Sequence, residues 1–460
     1  MIGHQAWQPE GVIQRSGIVE ASLDWVTVSG ELQSQRPDPI ELLIQQETQR
    51  LPWLVPVRHS RMAESPFAFF RGAAAVMASD LSRKPNSGLM VQLCGDAHLM
   101  NFGFYGSPER NLLFDINDFD ETYPGPFEWD LERLSTSLLL AARSLGISEA
   151  KQEKICRRSL RAYGEAMANF AAMAFIPMYI MRLDLEALID HSTSKNLQHH
   201  LSDVVKNAKH RDSREAVGKL CETDSSGQLR FRHDPPLIWR TAELPEEWGG
   251  GMYWLNRFHG IFARYLQSIR PEMRRILSQF QFMDAAVKAV GVGSVGTRCA
   301  VGVFAGKHPN DVLVLQSKQA EASVLAPYVQ AASTNHQGER VVQGQRLMQT
   351  SSDAFLGWTT TPEGHHLYLR HFRDWKGSVD LSRLDEDGLS DYGRLCAWTL
   401  AKAHARSGDR VAIKDHIGEP KPFAKSMLEQ ALSHAHQSEA DYQALRQAIR
   451  DGRLQTSDVY

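Results

Sequence analysis

The chain has 460 residues, of which 42% are hydrophobic and 23% charged, and its formal net charge at pH 7 is −3. This length suits one large domain or two lobes, and the composition is that of an ordinary soluble globular protein. The small negative charge argues against a general nucleic-acid-binding role, and the longest apolar run is too short to span a bilayer. Five widely spaced cysteines and the lack of a signal-peptide pattern predict a reduced, cytoplasmic chain.

The residues before the candidate catalytic segment are predicted to form an irregular extension followed by a helix. Residues 1–57 form an extension that is irregular at first and contains several prolines. Residues 66–82 carry apolar side chains at helical spacing, which predicts one amphipathic helix. Arg71 lies on this helix and can face an anionic site, but a surface salt bridge is the simpler interpretation.

Residues 91–131 concentrate carboxylates and amides at the ends of two short apolar runs, VQLC and NLLF. This pattern predicts two strands with polar side chains on the loops that leave them. Asp96 and Asn101 are five residues apart, as are the Asp and Asn of a kinase catalytic loop. Asp118 follows the second strand, where a kinase has a metal-binding Asp. Oxygen ligands of this kind suit magnesium.

The kinase pattern assigns a role to each of these side chains. Asp96 would accept the proton of the attacking hydroxyl, while Asn101 and Asp118 would hold the Mg²⁺ that bridges the phosphates of ATP. Asp115 lies on the same strand but faces the other way from Asp118 if the strand is regular, so Asp118 is the predicted ligand. The structural alternative is a capping turn at Gly95 and a helix cap at Asp118.

The stretches GDAHLMN, NDFDE and FEWDL resemble the catalytic half of the aminoglycoside and choline phosphotransferases, which have kinase-like folds. This resemblance implies that Asp130 braces the catalytic loop. The chain departs from the family pattern at two places, because no His precedes Gly95 and because Asp115 and Asp120 are additional acids near the metal-binding position.

A second motif lies after residues 131–282, which are predicted to be mostly helical. It has the form G-x-G-x-x-G and consists of Gly291, Gly293, Ser294 and Gly296. A dinucleotide-binding fold requires a helix directly after such glycines, but the residues that follow here predict a strand. Strand, glycine-rich loop and strand is the kinase arrangement, in which backbone N–H groups cover the phosphates.

Lys318 ends the next predicted strand, where a kinase has its phosphate-binding lysine. The structural alternative is a solvated lysine at a strand end. A kinase lysine pairs with an acid from the following helix, and Glu321 and Glu339 are both candidates. If Lys318 and Asp118 serve one nucleotide, they are expected to lie within about 10 Å of each other.

The order of these motifs is reversed relative to an ordinary kinase, because the glycine-rich loop and the lysine follow the catalytic loop. We therefore predict an α+β, two-lobed, protein-kinase-like fold that is circularly permuted, with a mostly helical large lobe and a small antiparallel β lobe. The predicted parts are the extension 1–57, the helical lobe 58–283, the β lobe 284–377 and the C-terminal helices 378–460, which complete the large lobe.

Residues from about 58 to 445 also resemble a bacterial family known as domain of unknown function 2252. The resemblance rests on motifs that include FAFFRG, GDAHLMNFG, GVGSVGTRC and KAHARSGD. The family name brings no activity with it.

The combined motifs predict an ATP- and Mg²⁺-dependent phosphotransferase that acts on a small hydroxyl compound or, as a less favoured acceptor, a protein. No nucleic-acid or membrane partner is expected. Two alternatives remain open: a nucleotidyl (AMP) transferase on the same fold, and a non-catalytic nucleotide-binding or interaction module.

Overall fold

Helices and antiparallel sheets alternate along the chain in the computed structural model. It describes residues 36–183, 193–235, 237–246, 251–288, 295–308, 310–331, 334–372 and 375–457, and it describes only the backbone of residues 251–256. The described residues from Asp38 onward form one compact unit. The fold is mixed α+β, as predicted.

The helices are distributed along the whole described chain. They are α1 (Pro39–Glu47), α2 (Val55–Ala63), α3 (Pro66–Gly72), α4 (Ala74–Leu81), α5 (Phe127–Ser144), α6 (Glu149–Ala172), α7 (Phe175–Tyr179), α8 (Lys195–Lys209), α9 (Ser213–Leu220), α10 (Gly251–Ser268), α11 (Pro271–Leu277), α12 (Gln337–Met348), α13 (Glu386–Ser407), α14 (Arg410–Ile417) and α15 (Pro420–Arg450).

Among the described residues, the strands form one six-stranded antiparallel sheet and three two-stranded ladders. They are β1 (Met90–Leu93), β2 (Phe102–Gly106), β3 (Leu112–Ile116), β4 (Tyr123–Pro126), β5 (Cys221–Thr223), β6 (Leu229–Phe231), β7 (Ile238–Arg240), β8 (Gln281–Lys288), β9 (Cys299–Ala305), β10 (Val312–Gln319), β11 (Gly357–Thr360) and β12 (His366–His371). The large sheet has the order β11-β12-β10-β9-β8-β7, and the ladders are β1-β4, β2-β3 and β5-β6.

The largest core lies among the long helices and beneath the two ladders that carry the Asp-rich loops. Helix α13 packs along α6, and α15 packs on both α5 and α6. Leu139 of α5, Tyr163 of α6 and Leu400 of α13 have no exposed surface. Full burial of side chains of this size stabilises the fold by about 1.5–3 kcal/mol each. Helix α5 begins directly after β4. The core therefore supports the two Asp-bearing loops, which connect β1 to β2 and β3 to β4.

The single helix predicted before the Asp-rich segment is divided into α3 and α4 at Ala73. Two carbonyl oxygens near the break accept hydrogen bonds from buried guanidinium groups, and the oxygen of Phe70 also accepts from the N–H of Ala73. Arg58 Nη2 donates to the oxygen of Gly72 at 2.8 Å, and Arg133 Nη2 donates to that of Phe70 at 2.7 Å. Because these partners come from outside the helix, apolar spacing alone could not predict the break.

The six-stranded sheet is covered on both faces. Side chains alternate along β10, so Val314, Gln316 and Lys318 share one face. Helix α9 and strand β6 pack on that face around Val314, while α10 and α11 pack on the opposite face. The edge strand β7 comes from the segment assigned by sequence to the helical lobe, since three residues are too few to show a strand pattern.

The beginning and the end of the described unit pack against each other. Residues of α1, α3 and α15 form a small separate core. Ser457 donates its N–H to Ser60 Oγ at 2.9 Å, and Arg453 Nη2 lies 2.9 Å from Glu41 Oε1. The two ends of this unit are therefore neighbours in the fold.

Candidate functional site

The loop between β1 and β2 is held in place by Asp130 of α5. Its carboxylate accepts hydrogen bonds from the N–H groups of Cys94 at 2.7 Å and Gly95 at 3.0 Å. Gly95 has φ +81°, and a Cβ at this position would lie 2.2 Å from the carbonyl oxygen of Glu121. The loop geometry therefore requires glycine. Asp130 braces this loop, as the phosphotransferase resemblance implied, and buried His404 lies 3.4 Å from its carboxylate.

Asp96 lies on this loop and forms an ion pair with Arg133 of α5. Arg133 donates from Nη2 at 2.7 Å and from Nε at 2.8 Å to Asp96 Oδ1, and the side chain of Asp96 is 21% exposed. Burial would raise the pKa of Asp96, but the charges of Arg133 and His98 outweigh burial and lower it. Asp96 is therefore an ionised, partly accessible carboxylate whose side chain bonds to Arg133.

Asn101 links the two Asp-bearing loops. Its Nδ2 donates to the backbone oxygens of Asp96 at 2.9 Å and Asp118 at 3.0 Å. The side chain is buried, and its Oδ1 has no hydrogen-bond partner among the described residues. An amide oxygen without a hydrogen-bond partner, on a side chain bonded to the backbone of Asp118, fits a magnesium ligand.

The donor set around Asn101 is small. Within the described ranges, no group of three or more His, Cys, Asp or Glu side chains is placed to hold a metal ion. Magnesium commonly takes one or two carboxylates and completes its shell with water and phosphate oxygens. Asp118 and Asn101 therefore fit magnesium bound together with a phosphorylated ligand better than a metal site made by protein alone.

Asp118 lies on the loop after β3, and its side chain is 40% exposed. Its Oδ2 lies 3.5 Å from Lys318 Nζ, and its Oδ1 accepts from the N–H of Asp120 at 3.3 Å. Burial would raise the pKa of Asp118, but the positive charges of Lys318, Arg370 and Lys376 lower it to about 2. The positive charges of three side chains thus act on the predicted metal ligand.

Lys318 is joined to the Asp-rich loop by two carboxylates. Its Nζ donates to Asp120 Oδ2 at 2.7 Å and lies 3.5 Å from Asp118 Oδ2, so the expected proximity of Lys318 and Asp118 is confirmed. Among the described residues, Lys318 pairs with neither Glu321 nor Glu339, and each of these two carboxylates accepts a hydrogen bond from a glutamine side chain. The acid expected from the following helix is instead supplied by the loop after β3.

Asp120 is the residue that sequence reasoning treated only as an additional acid. Besides Lys318, it accepts a hydrogen bond from the hydroxyl of Tyr368 at 2.5 Å. Arg340 of α12 donates to the backbone oxygens of Asp120 and Thr122. Helix α12 therefore positions the loop by bonding to the backbone of the loop. Strands β10 and β12 position the loop by bonding to the side chain of Asp120.

Arg133 and Arg71 were also misjudged or missed from sequence. Arg133 follows Asp130 by three residues, so both lie on one face of α5, and this spacing was the available signal. For Arg71 the expected surface salt bridge is wrong: the side chain makes no ion pair with a described residue, and its Nε is buried without a hydrogen-bond partner.

Asp115 has a structural role in the core. Its Oδ2 lies 2.5 Å from Lys402 Nζ of α13, and both side chains are almost completely buried. Asp118, by contrast, is partly exposed beside Lys318. This arrangement agrees with the choice of Asp118 as the candidate metal ligand.

Most of the glycine-rich motif lies outside the described residues, namely Gly291, Gly293 and Ser294. Gly296 is described and has φ +92°. Its carbonyl oxygen accepts from the N–H of Leu51 at 2.6 Å. The segment before α2 therefore contacts the end of this motif, which the sequence did not predict.

The face of the sheet that carries Lys318 is occupied next to the site by α9. Ser213 Oγ accepts from the N–H of Val314 at 3.1 Å and lies 2.7 Å from His371 Nε2. A cavity of about 620 Å³ lies on the opposite face, between the sheet and α10. Leu315 and Ser317, which line it, alternate with Lys318 along β10. The cavity is therefore separated by the sheet from the Lys318 ammonium group.

Glu121 makes the stability of the fold depend on pH. Burial raises the pKa of Glu121 to about 7, although its Oε2 accepts from the N–H of Val324 at 2.8 Å. Between about pH 4.5 and pH 7 the folded protein keeps this proton while the unfolded chain loses it, so rising pH destabilises the fold. We expect the melting temperature of Glu121→Gln to fall less between pH 5 and pH 8 than that of the wild type, in scanning calorimetry over about this range. Glu429→Gln, at an exposed position, serves as the control and should follow the wild type; identical pH profiles for all three proteins would contradict the assignment.

The fold and site define a mixed α+β protein. In it, a buried lysine of a six-stranded sheet pairs with carboxylates of an Asp-rich loop that is far away in sequence but adjacent in space. The chain belongs to the family described as "Uncharacterized protein conserved in bacteria (DUF2252)", which matches residues 50–448. No curated protein and no solved structure matches the chain. None of the helices in the described ranges has the length and apolar character needed to cross a membrane.

Proposed function

We propose that this protein is an ATP- and Mg²⁺-dependent phosphotransferase with a kinase-like, circularly permuted fold, acting on a hydroxyl-bearing acceptor. One observation carries the proposal: Lys318 Nζ lies 3.5 Å from Asp118 Oδ2, although the two residues belong to motifs far apart in sequence. A kinase brings together the same parts, namely a strand lysine, a metal-binding Asp and an Asp-x-x-x-x-Asn loop.

In this proposal some residues of the site act on the acceptor and the others bind the nucleotide. Asp96, ionised and partly exposed, accepts the proton of the acceptor hydroxyl. Asn101 Oδ1 and Asp118 would hold Mg²⁺, which would neutralise charge on the phosphates. Lys318 and Arg370, whose positive charges act on Asp118, would bind the phosphates.

The contact between α13 and β1 supports the permutation. Gln92 of β1 donates its N–H to Ser407 Oγ, at the end of α13, at 3.1 Å. A Cβ on Gly408 would lie 2.6 Å from Val91 Cγ1, so the chain after α13 passes directly beside β1. A chain that continued from α13 into β1 would present the sheet and lysine before the catalytic loop, as a kinase does. The adjacent ends of the described unit make such a rearrangement geometrically simple.

A second candidate, a non-catalytic interaction module, is favoured by the contacts of α9. Ser213 occupies space beside His371, next to the sheet face on which a nucleotide base would be expected to lie. ATP binding in the kinase manner therefore requires α9 to move or the base to lie elsewhere. Nucleotide binding without turnover would support this second candidate.

The expected result of Asp118→Ala is loss of the Mg²⁺-dependent part of ATP binding. The substitution removes a metal ligand, while Lys318 keeps its 2.7 Å bond to Asp120, so the fold should persist. The measurement is the melting temperature with ATP, with and without Mg²⁺, compared with the exposed control Asp415→Ala. Equal Mg²⁺-ATP shifts for the wild type and Asp118→Ala would count decisively against this ligand.

The position of the radiolabel separates phosphoryl transfer from nucleotidyl transfer. ATP labelled at the γ-phosphate should label the acceptor, and ATP labelled at the α-phosphate should not. The opposite result would establish AMP transfer instead.

The five cysteines are buried free thiols, which supports our inference that the protein works in a reducing compartment such as the cytoplasm.

A further inference from the structure

We propose that the acceptor carries an anionic group, a phosphate or carboxylate, and that Arg71 binds this group beside Asp96. This inference rests on the proposed function, because it identifies Asp96 as the group that faces the acceptor hydroxyl. Its geometric basis is the position of the last turn of α3 over the catalytic loop.

Arg133 connects the last turn of α3 to Asp96 by hydrogen bonds to both. Its Nη2 donates to the carbonyl oxygen of Phe70 at 2.7 Å, and its guanidinium lies 3.9 Å from the centre of the Phe70 ring. The same guanidinium bonds Asp96 at 2.7 and 2.8 Å. Arg71 follows Phe70 in sequence, so its backbone is fixed close to the catalytic loop.

Arg71 differs from the neighbouring arginines in lacking a partner. Arg58 donates to Glu47 and to the carbonyl oxygen of Gly72, and Arg133 donates to Asp96 and Phe70. Within the described part of the chain, Arg71 has neither a side-chain hydrogen bond nor an ion pair, and its Nε is buried. A buried guanidinium N–H without an acceptor is unfavourable, and a bound anion would supply the acceptor.

The carboxylates whose charges act on Arg71 are those of Asp96 and exposed Glu64, and neither forms an ion pair with it. Two guanidinium groups, Arg133 and Arg71, act on the single carboxylate of Asp96. Burial lowers the pKa of Arg71, and the charges of Asp96 and exposed Glu64 oppose this effect. Nearby, His98 has a buried Nδ1 without a hydrogen-bond partner. An anionic group on Arg71 would leave an adjacent hydroxyl of the same molecule within reach of Asp96.

Anion binding without ATP tests this directly, with inorganic phosphate and malonate as the probes. Isothermal titration of the full chain should show saturable binding of at least one of these anions by the wild type. Arg71→Met should weaken that binding about 10- to 100-fold, the usual loss for a charge-assisted hydrogen bond. Arg71→Lys should retain part of the affinity, because it keeps the charge but not the planar donor pair. Exposed Arg275→Met removes the same charge elsewhere and should bind like the wild type.

Three results would overturn the inference: no binding of either anion by the wild type, equal affinity in Arg71→Met, or loss of binding in Lys376→Met but not in Arg71→Met. The last result would place the anion on the nucleotide side of the site. Circular dichroism and melting temperature without anion establish that Arg71→Met is folded. A failure of ATP turnover would remove the proposed function but leave an Arg71-dependent anion site standing, so the two failures are distinguishable.

Discussion

Replacing Asp96 by asparagine is expected to lower ATP turnover by about 10²- to 10⁴-fold, the usual effect of removing a general base. Asn keeps the size of Asp and an oxygen that accepts from Arg133, but it cannot take a proton. Arg133 also keeps its bond to the carbonyl oxygen of Phe70. The fold and the affinity for Mg²⁺-ATP should therefore change little. The measurements are steady-state turnover of ATP and titration of Mg²⁺-ATP binding.

The control for this substitution is Asp415→Asn, which makes the same chemical change at a surface position. It should turn over ATP like the wild type. Turnover by Asp96→Asn at close to the wild-type rate would leave Asp96 as the structural partner of Arg133. A large fall in melting temperature with a parallel loss of Mg²⁺-ATP binding would also point to a structural role.

Replacing Lys402 by methionine is expected to destabilise the fold by about 3–5 kcal/mol, as breaking one side of a buried ion pair generally does. Lys402 Nζ lies 2.5 Å from Asp115 Oδ2, and the Lys402 side chain has no exposed surface. Methionine fills the space but leaves the Asp115 carboxylate buried without its countercharge. The measurement is the free energy of unfolding from urea denaturation.

Two variants make this result specific. Lys414→Met removes a lysine whose partner Asp415 is exposed, and it should change stability by no more than about 1 kcal/mol. The double variant Asp115→Leu with Lys402→Met removes both charges and should recover much of the loss. A loss below about 1 kcal/mol in Lys402→Met would show that the pair contributes little to stability.

Local sequence patterns predicted the parts of the site that lie close together in the chain. Strand ends, a tight turn and five-residue spacing were enough to select Asp96 and Asn101 as candidates. In the structure, Asn101 Nδ2 donates a hydrogen bond to the Asp96 carbonyl oxygen. Alternation along a strand likewise places Lys318 on the same face of β10 as Val314 and Gln316. These patterns depend on backbone periodicity, which single sequences carry directly.

Long-range partner choice was not predictable in the same way. The Lys318–Asp120 pair depends on how the sheet sits against the loop after β3, and nothing near Lys318 in sequence distinguishes Asp120 from Glu321 or Glu339. The division between α3 and α4 depends likewise on Arg58 and Arg133, which lie outside both helices. Helix α9 covers the Lys318 face because of tertiary packing. The sequence of this short helix does not indicate which surface the helix packs against.

The meeting of the two ends of the described unit has a consequence for local unfolding. Ser60 and Ser457 exchange hydrogen bonds, and Arg453 contacts Glu41. Chain ends usually fray independently and exchange their amide hydrogens quickly. Here α1 cannot open without exposing the end of α15, so the amides of both segments should exchange with deuterium as one cooperative unit. Removing either segment should therefore increase exchange in the other, even though they are far apart in the sequence.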